Sequence, residues 1–144
     1  MEENLLSSQP DFKLYKDRAV YVGTFLGGPL VAGYLAAENF KRLGQQENVK
    51  PAWIIAIITT LVIFGAIFFI PGIEKMPRYI IPIVYGGIAQ YLVQKYQGSA
   101  IKLHIENGGA VYSVWRAVWI GLVGCAILVA FVFAIILIMN KGSL

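Results

Sequence analysis

Apolar positions along this chain fall into blocks separated by short charged connectors. From Ala52 to Ile70 the sequence AWIIAIITTLVIFGAIFFI runs 19 residues without a charge, and Ala117 to Met139 runs 23. As helices these measure about 28 and about 35 Å, against a bilayer hydrocarbon core of about 30 Å. Both read as transmembrane helices. Two further blocks are less regular. IIPIVYGGIAQYLV, from Ile80 to Val93, contains a Pro, a Gly pair and a Gln. A helix through it still fits a crossing, with Tyr79, Tyr91 and Tyr96 at headgroup level. The first block, Ala19 to Ala37, is divided by Gly27-Gly28-Pro29.

That break admits two geometries. Pro29 suits the first turn of a second helix, where its missing N–H costs nothing, with Gly28 capping and Gly44 as a stop. The segment is then either a kinked crossing or a broken helix that dips in and returns. Basic residues separate the two. With four full crossings the sides carry six Lys and Arg each. With a re-entrant first block, one side holds Lys13, Lys16, Arg18, Lys41, Arg42, Lys50, Lys95, Lys102 and Arg116. The other holds Lys75, Arg78 and Lys141. Membrane topologies usually show such a bias, which favours re-entry, provided that protein covers the freed backbone groups.

The predicted fold is an all-α integral membrane protein with four hydrophobic segments, about 19–43, 52–70, 79–96 and 114–139. They form one helical membrane domain, 19–144, behind a polar N-terminal tail, 1–18. The tail is expected to be loosely ordered, with Phe12, Leu14 and Tyr15 resting on the interface. Glu2, Glu3, Asp11 and Asp17 in place of a basic leader, and the broken apolar run, argue against a cleaved signal. Between the third and fourth segments, Ile101, Leu103 and Ile105 alternate with polar residues before Asn107-Gly108, a hairpin signal. An isolated hairpin is marginal, so a short interfacial helix is preferred there. Tyr79, Tyr112, Trp115 and Trp119 are the expected interface anchors.

Composition agrees with the blocks. Hydrophobic residues make up 58% of the 144 and charged residues 14%, with a mean hydropathy of +0.66, which excludes an ordinary soluble domain. The net charge of +4 suits basic loops meeting anionic headgroups and brings no nucleic-acid signature.

Candidate chemistry is sparse. His104 is the single histidine and Cys125 the single cysteine. Neither has ligands or a base at useful spacing, so no metal, cofactor or catalytic group is expected and the chain reads as no enzyme. No charge lies well inside the last three blocks, which argues against a proton-coupled carrier or a pump. Gln90, with Thr59 and Thr60 on the neighbouring segment, reads as interhelical hydrogen bonding.

Small residues carry more. Gly23 and Gly27 form a GxxxG pair, and Ala117, Gly121 and Cys125 form a second stripe; both suit close helix packing, within the chain or against a partner. Gly27, Gly28 and Pro29 also offer a half-helix N-terminus for an anion, with Pro82 and Gly86-Gly87 as a second break.

The stretch FLGGPLVAGYLAAENFKRLG resembles a pattern in small, uncharacterised bacterial inner-membrane proteins: an apolar run, a Gly-Pro step, then a helix ending in Asn-Phe/Tyr-Lys/Arg-x-Leu-Gly. The resemblance covers about 20 residues. It implies a bacterial source and carries no activity, so no functional residue transfers. The leading expectation is a non-enzymatic accessory or scaffold subunit in the bacterial inner membrane, partnered by lipid and by other membrane proteins or its own copies. The alternative is a small channel or carrier for a solute, anion or lipid, using the break at Gly27–Pro29.

Overall fold

The computed structural model describes residues 11–142; the first ten residues of the expected tail lie outside them. The chain is all-helical, with five α-helices among the described residues. They are α1 (Asp17–Gly27), α2 (Pro29–Arg42), α3 (Val49–Phe69), α4 (Ile80–Glu106) and α5 (Val114–Lys141). Two short strands, β1 (Lys13–Leu14) and β2 (Ala110–Val111), pair in parallel with Lys13 opposite Ala110. Two helices are long and apolar enough to cross a membrane: α3 with the turn before it, Gln46–Phe69, and α5, Val114–Lys141.

The first block folds back on itself. In one straight helix Tyr15 and Asn39 would stand about 36 Å apart. Instead the Tyr15 N–H donates to Asn39 Oδ1 at 2.8 Å, and Asn39 Nδ2 donates to the Tyr15 carbonyl at 2.8 Å. The turn is Gly28, at φ 85° and ψ −178°, a region that only glycine enters without strain. Pro29 then opens α2 at its first position. Helices α1 and α2 are therefore an antiparallel hairpin, about 16 and 21 Å long, with Gly28 at its tip.

This hairpin is the hub of the molecule. Helix α1 packs against both α4 and α5, and α2 packs along α3. The three long helices make no substantial contact with one another. The core accordingly gathers on the hairpin: Leu14, Tyr15, Ala19, Val20, Val31 and Leu35, with Val93 and Ile101 from α4 and Ala117 from α5.

Small residues set the closest approach. A methyl group on Gly27 would lie 2.6 Å from the Gly121 carbonyl, and one on Gly121 would lie 2.7 Å from the Gly23 carbonyl. Only hydrogen at these positions lets the α1 and α5 backbones come this near. Gly33 meets Ala56 in the same way where α2 crosses α3.

Two expectations are corrected. Leu14 and Tyr15 do not lie loosely on a surface; they are 0% and 2% exposed. The reason is the β1–β2 pairing and the Asn39 clasp, which use the backbone groups of both residues. No separate interfacial helix precedes α5 either. Helix α4 continues unbroken from Ile80 through Glu106, because its polar second half faces the hairpin instead of ending at a connector. Residues 98–107 form no hairpin; β2 pairs with β1 at the other end of the chain.

Candidate functional site

The open end of the hairpin is closed by polar groups. Asn39 is fully buried. Besides its two bonds to Tyr15, its Nδ2 donates to Gln97 Oε1 at 2.9 Å, and Gln97 Nε2 donates to the Ala36 carbonyl at 3.0 Å. One side chain thus ties the strand before α1, helix α2 and helix α4 together. Beside it, Asp17 Oδ2 accepts from Gln94 at 2.7 Å and from Gln90 at 3.1 Å. Gln90 therefore serves the start of α1 and not Thr59 or Thr60; Thr60 bonds the Ala56 carbonyl in its own helix.

Aromatic rings complete this end. Tyr15 stacks on Tyr112 with centroids 4.5 Å apart, and the Arg116 guanidinium lies 4.5 Å from the Tyr112 ring while its Nε donates to the Tyr15 hydroxyl at 2.9 Å. Burial pushes the Tyr15 phenol above its ordinary pKa, with the Arg116 hydrogen bond and charge opposing. His104 stacks on Phe12, and its Nε2 is 2.8 Å from the Ala110 carbonyl. A carbonyl only accepts, so Nε2 carries the proton. These are packing contacts around the β1–β2 pair. No set of three His, Cys, Asp or Glu side chains converges among the described residues.

The hairpin is shorter than the helices around it. Arg116 lies level with Tyr15 at its open end, and Leu128 lies 3.4 Å from the position of a methyl group on Gly28 at its tip. Twelve residues of α5 separate these levels, about 18 Å. Helices α3 and α5 extend well past the tip. Since the long helices do not pack on one another, space remains between them.

That space takes the form of two adjoining cavities. The inner one, about 340 Å³, lies between α2, α3 and α4, with walls that include Ala32, Ala36, Ile55, Thr59, Ile88 and Leu92. The outer one, about 460 Å³, lies beyond the tip, walled by Thr60, Phe64, Ile67, Ile81 and Leu128, with Glu74 and Arg78 at its rim. Pro29 and Tyr85 line both. The result is a groove along the α3–α4 gap, floored by the hairpin, apolar along its length and charged at one end. Volumes of this size are those of small-molecule sites.

The structure places the sequence-derived candidates as follows. Gly23, Gly27, Ala117 and Gly121 are brought together, face to face inside the chain. Cys125 is exposed on α5 and takes no part. At Gly28 the nearest side chain is Leu128, and the Gly28 N–H donates to the Thr24 carbonyl at 2.7 Å; Gly28 and Pro29 both line the outer cavity. The second break is absent: α4 runs through Pro82, Gly86 and Gly87, with Gly86 set against the Tyr21 ring. Tyr79, Trp115 and Trp119 are exposed, whereas Tyr112 is partly buried under Arg116. Sequence reasoning missed Asn39, Gln97 and the groove. The single Asn within an otherwise apolar helical face was the available signal for the first.

Comparison with known proteins adds no name: no family model matches the chain, and neither curated proteins nor solved structures give a significant match.

Proposed function

We propose that this chain is a multi-pass membrane protein that holds the hydrocarbon chain of a lipid in the lateral groove above its re-entrant hairpin. Helices α3, α4 and α5 cross the bilayer, and the α1–α2 hairpin enters and returns on one side. The charge distribution supports this arrangement. The hairpin's open end carries nine Lys and Arg, from Lys13 to Arg116, and the opposite end three, a bias that favours the open end on the cytoplasmic side. The resemblance of the first block to bacterial proteins favours a bacterial inner membrane.

One observation carries the lipid reading: an apolar groove lies in the gap between α3 and α4, which the proposed topology sets at the depth of the hydrocarbon core. A hairpin that stops about 18 Å in leaves a volume that lipid tails, the surrounding solvent, are shaped to fill. Apart from Glu74 and Arg78 at one end, its walls carry no charge of the kind on which transport of ions or polar solutes through a membrane relies. The role is one of binding, without chemistry of its own.

The small residues Gly23, Gly27, Ala117 and Gly121, first reason for expecting a partner subunit, are occupied within the chain, and only Cys125 of the two stripes is exposed. An accessory role would have to use other faces.

Native mass spectrometry of the protein extracted in mild detergent tests the proposal. A monomer retaining bound lipid is expected, and Thr59→Phe, which fills the inner cavity from its open side, should release it. A lipid-free chain, or retention unchanged in Thr59→Phe, overturns the reading. A discrete complex with other membrane proteins would instead restore the accessory-subunit expectation.

A further inference from the structure

The outer cavity holds two opposite charges that do not use each other. Glu74 and Arg78 both line it, both are exposed, and neither has an ion-pair or hydrogen-bonded partner among the described residues. They are four residues apart, at the turn between α3 and α4. Behind them the cavity wall is apolar, formed by Ile67, Ile81 and Leu128. An occupant complementary to this wall has a hydrocarbon body and a head with one negative and one positive centre.

From this juxtaposition we propose that the groove selects a phospholipid whose headgroup carries both a phosphate and a primary ammonium. The Arg78 guanidinium receives the phosphate, which its planar fork of donors matches. The Glu74 carboxylate accepts N–H bonds from the ammonium. An anionic headgroup would satisfy Arg78 and be repelled by Glu74. A quaternary choline would reach Glu74 without a donor to offer it. The inference rests on the lipid-groove reading and specifies its ligand. It also places the bound head in the leaflet opposite the basic open end, because the Glu74–Arg78 turn lies at the sparsely basic end.

The test uses a tryptophan reporter in the groove, Phe64→Trp, with Trp53, Trp115 and Trp119 replaced by Phe. The protein is placed in vesicles containing a minority of one brominated-chain lipid: phosphatidylethanolamine, phosphatidylcholine or phosphatidylglycerol. Quenching of the reporter reads occupancy. Preference for brominated phosphatidylethanolamine of about tenfold is expected, the value of one charge-assisted hydrogen bond, and Glu74→Gln and Arg78→Gln should each abolish most of it. Both sites are exposed turn positions, so the fold survives both changes. Equal quenching by the choline and ethanolamine lipids, or preference for phosphatidylglycerol, overturns the headgroup assignment while leaving the chain site standing. Quenching by none of the three overturns both.

Discussion

Replacing Asn39 by Ala removes the clasp that closes the hairpin. The substitution deletes both bonds to the Tyr15 backbone and the one to Gln97. It leaves the Tyr15 N–H and carbonyl and Gln97 Oε1 without these partners. A buried polar group stripped of its partner costs about 1–3 kcal/mol. Three such groups set an upper range of about 3–9 kcal/mol. The site lies at the open end of the hairpin, where water entering the vacated volume recovers part of this. A net loss of about 3 kcal/mol is expected. The assay is unfolding by SDS titration in mixed micelles, followed by far-ultraviolet circular dichroism. Lys41→Ala is the control, since the Lys41–Glu38 pair at 3.2 Å is solvent-facing and worth at most about 0.5 kcal/mol. Hydrogen exchange at the Tyr15 amide should accelerate in Asn39→Ala alone. A loss below about 1 kcal/mol, or an unchanged Tyr15 amide, would refute the claim that this side chain holds the hairpin shut.

Three other outcomes follow from the geometry. Gly121→Leu should unfold the isolated chain and not merely weaken association, because its first side-chain carbon would lie 2.7 Å from the Gly23 carbonyl and 2.9 Å from Leu26 Cβ; a variant with wild-type melting refutes the α1–α5 contact. Gly28→Ala forces a side chain into the φ 85° turn and should cost about 1–3 kcal/mol of strain, read as a lower midpoint in the same SDS titration. The Tyr15 phenol is harder to ionise folded than unfolded. Its contribution is therefore complete below the ordinary tyrosine pKa of about 10 and is lost as pH rises beyond it. Stability measured across the alkaline range should fall more steeply for the wild type than for Tyr15→Phe.

Some of this architecture was legible in the sequence. Helices α3 and α5 announce themselves through uninterrupted apolar runs, since a chain in lipid must satisfy its backbone within each segment. The Gly-Gly-Pro break was legible as the end of one helix and the start of another, and the chain turns there at Gly28; the Lys and Arg count speaks only to the topology proposed above. The far half of α4 was misread. Gln94, Gln97 and His104 look like residues of a wet connector, yet Gln97 and His104 are buried because they serve the hairpin and the β1–β2 pair. Polarity along a sequence reports solvent only when no other polar group waits inside. The small-residue stripes were equally ambiguous: four-residue spacing says that a backbone approaches closely, and does not say whose. The groove had no sequence signal, since it is made by helices that fail to meet.

The position of the hairpin at the start of the chain has a consequence for biogenesis. Its packing partners on α4 and α5, and the β2 strand that holds its leading end, are all synthesised later. Until they emerge, the Asp17 carboxylate lacks Gln90 and Gln94 and the Asn39 amide lacks Gln97, and lipid offers no substitute. On the topology proposed above, the first segment then waits at the cytoplasmic face or within the insertion machinery and enters last. Chains arrested before Val114 should accordingly leave residues 19–43 open to aqueous thiol reagents at introduced cysteines, and the full chain should close them. Protection already present in the arrested chain would refute this order of assembly.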